Sequence, residues 1–199
     1  MRTLLLATSN PYKLEEFRAI LSDLHLKLVS LSDLHLDIEV EETGTTFAEN
    51  AELKARTYAQ VSGMLTLADD SGLEIDALGG APGVLSARYL GRETSYEERY
   101  RSILEQLKGL PMEQRTARFR CAIALAEPNG YTRIVDGAIE GVIASNPRGE
   151  NGFGYDPIFY VPELEKTFAE LAPEHKNRIS HRAHAAQSVR KILEDRPYL

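Results

Sequence analysis

The chain has 199 residues, 43% of them hydrophobic and 27% charged, with a formal net charge of −7 at pH 7. That composition describes a globular protein with room for a buried core, and it excludes broad, sequence-independent binding to nucleic acid or an anionic membrane, which needs a net basic surface. The single cysteine, Cys121, excludes an internal disulfide and a cysteine-based zinc site, and fits a reducing, cytoplasmic setting.

Residues 4–7 predict a short buried strand, and the interruption at Asn10-Pro11 makes this opening a strand rather than a secretory signal. Asn10 predicts a helix cap with Pro11 at the first helical position. Leu14, Phe17, Ile20 and Leu21 give that helix an apolar face. Residues 26–29 read as a second strand, followed by four acids within residues 37–42. Thr46-Phe47-Ala48-Glu49 is a capping box that predicts a helix over 47–62, closed by Gly63. Ala51, Ala55, Tyr58 and Ala59 form its packing face, while Asn50 and Lys54, four apart, share another. Residues 65–68 predict a strand with Asp69-Asp70-Ser71-Gly72 at its carboxyl end, where ligands gather in open α/β sheets.

Residues 78–87, rich in glycine, predict a structured loop. Thr94 and Ser95 precede Glu97 and Glu98 at the spacing that begins a helix, running to residue 107. Residues 116–126 and 131–143 flank the turn signal Pro128-Asn129-Gly130 and predict an antiparallel hairpin, assignable to a second lobe. In the first of these runs Cys121 alternates with Phe119, Ile123 and Leu125, the pattern of a buried structural thiol. A second glycine-rich loop over 146–156 precedes a short strand over 157–161. A final helix opens near Ser180, with Ala183, Ala186, Val189 and Leu193 on one face. The mixed order of elements predicts the α/β class, a long central mixed sheet flanked by helices, and two lobes with a cleft between them in a single domain over residues 1–199.

Two helix beginnings carry cations, at Lys13 and at His181-Arg182, where unpaired N–H groups favour anions instead. The segment Thr8-Ser9-Asn10-Pro11-Tyr12-Lys13 offers hydroxyl, amide and N–H donors to a phosphate; the plain alternative is an Asn-Pro cap. Glu42 and Asp69-Asp70 are oxygen donors suited to Mg²⁺, and alternation along a strand would bring one of the two aspartates to the ligand; the plain alternative is a turn. Glycines around Phe153 allow its ring to stack on a base; the plain alternative is a phenylalanine plugged into the core. Residues 175–193 hold five Lys or Arg and no acid. Lys176, Arg178, His181, Arg182 and His184 there suit phosphate or base carbonyl oxygens, or form a solvated basic helix. The three-residue spacing of His181 and His184 invites zinc, for which no third ligand lies at a typical spacing.

These residues, in this order, resemble the inosine triphosphate pyrophosphatase family, also called Ham1-like. The resemblance spans residues 4–189. It rests on Thr8 to Lys13, on Glu42-Thr43-Gly44-Thr45-Thr46-Phe47 with Glu49-Asn50-Ala51 and Lys54-Ala55, and on Ala68-Asp69-Asp70-Ser71-Gly72-Leu73. Gly79-Gly80-Ala81-Pro82-Gly83 with Ser86-Ala87-Arg88, Gly152-Phe153-Gly154-Tyr155-Asp156-Pro157 and Ser180-His181-Arg182 complete it, and Tyr155 resembles the bacterial branch. The resemblance implies an elongated two-lobed homodimer that hydrolyses ITP, dITP and XTP to the monophosphate and pyrophosphate with Mg²⁺. It implies that Thr8, Asn10, Lys13 and Lys54 hold the triphosphate, with Ser9, Pro11 and Tyr12 in the same substrate-binding segment. Glu42 and Asp70 would hold the metal, and Asp70, with Lys13 and Lys54, would be catalytic. Ser71 would touch substrate, and Phe153, Gly154, Tyr155, Asp156, Lys176, His181 and Arg182 would form the base pocket. A pyrimidine-directed pyrophosphatase of Maf type and a non-catalytic nucleotide sensor are the rival readings.

Overall fold

The computed structural model describes residues 2–195. Strand β1 (Arg2–Leu6) lies between β2 (Leu26–Ser30) and β3 (Thr66–Ile75) and runs parallel to both. Leu4, Leu5 and Leu6 are all fully buried, as a strand covered on both faces requires, which is why the segment is an unbroken apolar run. With β4 (Thr116–Ala126), β5 (Thr132–Ile143), β6 (Phe159–Val161) and β7 (Lys166–Thr167), these strands form one seven-stranded sheet in the order β2-β1-β3-β4-β5-β6-β7. The β5–β6 and β6–β7 pairs are antiparallel, so the sheet is mixed.

The helices begin where local chemistry marks them. In α1 (Pro11–Ile20) the Asn10 side chain accepts from the backbone N–H groups of Tyr12 and Lys13 at 3.0 and 3.3 Å. Such a cap stabilises a helix by about 1 kcal/mol. In α2 (Phe47–Ser62) Thr46 and Glu49 form the reciprocal capping box, and Gly63 ends the helix at φ +64°. In α3 (Tyr96–Gln106) Ser95 and Glu98 repeat the box. The short α4 (Pro173–Ile179) and α5 (His181–Asp195) meet at Ser180.

The chain divides into two compact units. Among the described residues the first comprises 2–70, 121–137 and 181–195, and the second 71–120 and 138–180. In the first, Leu4, Leu6, Phe17, Leu67, Ile123 and Val189 belong to one core. In the second, Leu73, Ile103, Phe119, Tyr155, Phe159 and Phe168 belong to another. The Phe119 and Phe168 rings stack within 9° of parallel, with centroids 5.7 Å apart.

Two sequence expectations are corrected. Asp69-Asp70-Ser71-Gly72 is not a turn: β3 continues through it to Ile75, because both aspartates find partners and need no solvent. The residues on either side of the turn at 127–131 are not the property of one lobe, since residues 121–137 belong to the first unit and the outer parts of β4 and β5 to the second. Helix α4 and strand β7 were not legible, being 7 and 2 residues long and too short to display a period.

Gly137 shows how closely β5 and α5 pack within the first unit. A Cβ there would stand 2.3 Å from the Ala185 backbone nitrogen and 2.5 Å from the His181 carbonyl oxygen. Backbone cannot yield as a side chain does, so Gly137→Ala is expected to destabilise the protein by about 1–3 kcal/mol, measured as a lowered urea midpoint.

Candidate active site

Residues 66–70 of strand β3 belong to the first unit, and their successive side chains alternate faces. Leu67 enters the core beside Phe17 of α1 and Val189 of α5. Asp69, two residues on, lies on that same face, where its Oδ2 meets Lys13 Nζ at 2.9 Å and Arg182 at 3.1 Å. Arg182 is 1% exposed and also pairs with Glu16 of α1. The first turns of α1 and α5, each bearing a cation where a helix N-terminus disfavours one, are thus tied to one buried carboxylate. Burial pushes the Asp69 carboxyl up, but Lys13, then Arg182 and Lys54, outweigh it and hold the group well below the ordinary carboxylate range. Burial likewise opposes the Arg182 charge, and Glu16 and Asp69 overcome it, so the guanidinium stays charged.

Asp70 points the other way, toward α2. Its Oδ2 accepts from the Asn50 carboxamide at 3.0 Å. Lys54, one turn further along α2, donates to Glu42 at 2.5 Å. Burial raises the Asp70 carboxyl; Lys54 and Lys13 lower it, and Glu42 adds to the rise, leaving a net upward shift. Glu42 is held in place by its flanking segment: the Tyr58 hydroxyl donates to the Ile38 carbonyl, and the Gly44 N–H donates to Asn50. Two neighbouring aspartates therefore have opposite electrostatics, one a firmly ionised structural anion and the other a buried carboxyl that holds its proton more readily.

The remaining residues of the phosphate-directed set lie at the start of α1. Thr8 Oγ1 accepts from the Asn10 N–H at 3.2 Å. The Asn10 oxygen is the capping atom, so any contact it makes with an anion falls to its NH₂ group. Ser9, Pro11 and Tyr12 are exposed, Tyr12 by 53%. Ser71 follows Asp70 in β3 and is half-buried.

In the second unit, the loop before β6 is folded around Asp156. Its Oδ2 accepts from Lys176 at 2.5 Å and from the Phe153 N–H at 2.9 Å. Gly152 sits at φ +75°, and a Cβ on it would lie 2.0 Å from that same oxygen, so the turn demands glycine. Lys176 Nζ stands 4.8 Å from the centre of the half-buried Phe153 ring. The aromatic that plugs this core is Tyr155 rather than Phe153: it is 2% exposed, donates to the Ser86 carbonyl at 2.8 Å and packs edge-on against Tyr96.

The basic tract is not a solvated face throughout. Lys176, His181 and Arg182 are buried, while Arg178 and His184 are exposed. Of the residues in the first unit, the sequence gives no sign of a role for Glu16, and it places Asn50 on one face of α2 with Lys54 without a part in the site. Glu16 lies three residues after Lys13, a spacing that places it on the same helix face. Asn50 sits four residues before Lys54.

A mixed α/β sheet with a strand bearing two carboxylates, one answered by lysine and arginine and the other by asparagine and lysine, defines the class: an α/β protein with a buried acid–lysine centre. The sequence model described as the Ham1 family matches residues 4–192, and the chain belongs to that family. The dITP/XTP pyrophosphatase of Bacillus subtilis (strain 168) is 50% identical over 194 residues, covering 98% of each chain. The dITP/XTP pyrophosphatase of Geobacillus kaustophilus (strain HTA426) is 51% identical over 195 residues, covering 98% of this chain and 96% of its own. A HAM1 protein from Coxiella burnetii, at 46% identity, superposes with a TM-score of 0.89 over 98% of this chain and 100% of that one.

Removing one partner from a buried ion pair strands the others, at a cost of about 3–5 kcal/mol. Arg182→Met, which takes the guanidinium away from Glu16 and Asp69, is expected to lose that much in urea unfolding at neutral pH. The folded Asp69 value lies below the ordinary 3.8, so the stability it supplies is complete above that pH and is lost as the pH falls through the folded value. Unfolding followed into that acid range is expected to show a steeper loss of stability for the wild type than for Asp69→Asn.

Proposed function

We propose that this chain is a divalent-metal-dependent pyrophosphohydrolase that converts ITP, dITP and XTP to the nucleoside monophosphate and pyrophosphate. The observation that carries the reading is the grouping of Asp70 and Glu42 with Lys54 and Lys13 in the first unit, in a chain of the Ham1 family. The names of relatives such as the Bacillus subtilis protein support the substrate class.

Glu42 and Asp70 would hold Mg²⁺. Among the described residues no group of three or more His, Cys, Asp or Glu offers a closed metal cage, and two carboxylates suit this hard cation, which commonly fills its other positions with phosphate and water oxygens. When bound, the ion supplies charge neutralisation and polarisation at the phosphates. Lys13 and Lys54 bring point charges to the triphosphate, with the Thr8–Asn10 donors beside them. Phosphate oxygens take over from carboxylates as the lysines' partners. Asp70, a buried carboxylate of raised proton affinity, accepts the proton of the water that attacks the α-phosphorus. The new bond is water oxygen to α-phosphorus, and the bond that breaks is α-phosphorus to bridging oxygen. Pyrophosphate leaves, its charge balanced by the two lysines.

The base is recognised by the Phe153–Asp156 loop with Lys176 and His181. Phe153 offers the stacking ring, and Tyr155 and Arg182, buried and hydrogen-bonded within the protein, support the residues beside them. Hypoxanthine and xanthine present a 6-oxo acceptor where adenine presents an amino donor. A cationic donor such as Lys176 facing that position leaves its own hydrogen bond unmade against adenine. The functional protein is a homodimer in this reading, acting on a small-molecule nucleotide.

Pyrophosphate release across a nucleotide panel, with and without EDTA, tests the reading. ITP, dITP and XTP are expected to be hydrolysed ahead of ATP and UTP, and EDTA to abolish release. Fast UTP or TTP turnover without ITP turnover would favour the Maf-type reading, and binding without release a sensor. Asp70→Asn is expected to lower kcat by about 10²–10⁴-fold with the fold intact by circular dichroism. Lys13→Ala is expected to weaken triphosphate use while leaving inosine affinity little changed.

A further inference from the structure

Asn50 is fully buried in the first turns of α2. Asparagine is a poor helix residue, and a buried carboxamide is costly unless its hydrogen bonds are made. This one uses both ends. Its Nδ2 donates to Asp70 Oδ2 at 3.0 Å and its Oδ1 accepts from the Gly44 N–H at 2.8 Å. A carboxylate only accepts and an N–H only donates, so the two partners fix which end of the amide points where. Gly44 is fitted to the same contact: a Cβ on it would lie 2.7 Å from Asn50 Oδ1 and 2.6 Å from the Glu49 Cβ. The side chain therefore joins β3, at Asp70, to the backbone two residues after Glu42.

We propose that Asn50 is a positioning residue for hydrolysis, its carboxamide locking the Asp70 carboxylate and the Glu42–Gly44 segment into one presented unit. The inference rests on the proposed pyrophosphohydrolase reading and adds to it. Asn50 acts through the Asp70 carboxylate it holds rather than on the nucleotide itself. It removes a rotational choice from the carboxylate and ties that choice to the position of the acidic segment. Misplacement of a catalytic group on the scale of an ångström costs about 10²-fold in rate, so the effect belongs in kcat rather than in nucleotide affinity.

The test compares Asn50→Ala, which loses both contacts, with Asn50→Asp, which keeps an acceptor for Gly44 but presents a second carboxylate to Asp70. Both are assayed for kcat and KM on dITP, for calorimetric binding of the α,β-imido analogue of dITP, and for thermal unfolding. Asn50→Ala is expected to lower kcat by about 10–100-fold while KM and analogue affinity stay within about threefold, and Asn50→Asp to lower kcat at least as far. Wild-type kcat in Asn50→Ala overturns the proposal. So does recovery of kcat in Asn50→Asp, which would leave only the Gly44 contact important, and so does a loss of analogue affinity as large as the loss of kcat. Should the Asn50 variants not fold, Gly44→Ala presses on the same contact with the amide in place; it is expected to lower kcat with analogue binding kept, and an unchanged kcat there overturns the proposal. Failure of the underlying reading shows separately, as absence of pyrophosphate release from dITP by the wild type.

Discussion

The first unit is organised by one buried anion, Asp69, between two cations. A lysine in the first turn of α1 and an arginine in the first turn of α5 both oppose the partial positive charge of their own helix ends. The chain supplies a carboxylate to meet them from the strand beneath. Arg182, at 1% exposure, owes its charge to Glu16 and Asp69, and Asp69 is met by Lys13 as well. The network therefore couples α1, β3 and α5, whose apolar faces share a core with Phe17, Leu67 and Val189. Electrostatics and packing demand the same arrangement, which is the consistency expected of a sequence with a single low-energy fold.

From that clamp follows a division of labour between adjacent residues. Strand alternation sends Asp69 to the face of α1 and α5 and Asp70 to the face of α2. Asp69 is saturated with positive charge and holds its ionised form firmly. Asp70 is buried with a weaker balance of lysines and with Glu42 opposing it, the setting that raises proton affinity. Two chemically identical side chains thus become a structural anion and a carboxyl poised for proton transfer. Cys121, whose thiol is pushed up by burial and then by Asp69, belongs to the structural side of this division.

The second unit shows the same economy around Asp156. One carboxylate oxygen receives the Lys176 ammonium and the Phe153 backbone, so the loop's shape and the place of its cation are set together. Lys176 is held over the Phe153 ring, which leaves that ring half-buried. Tyr155 takes the anchoring role instead, through the Ser86 carbonyl and the Tyr96 ring. Its neighbour is thereby spared from the core.

Sequence alone determined those features whose physics is local. Asn10-Pro11, the Thr46–Glu49 and Ser95–Glu98 boxes and Gly63 all mark helix ends because the capping atoms lie within four residues of the groups they satisfy. The run Leu4–Leu6 marks a buried strand, and the family motifs mark the residues around Lys13, Glu42, Asp70 and Phe153. Tertiary structure alone decided which partners those residues take. That Asp69-Asp70 continues a strand instead of turning, that Arg182 answers Glu16 166 positions away, that Tyr155 rather than Phe153 is the core anchor, and that Asn50 reaches Asp70 are all set by contacts distant in the chain. The reason is that a charged or polar side chain carries no local signal of whether it will be solvated or buried; that is settled only when folding brings, or fails to bring, the group that replaces its water.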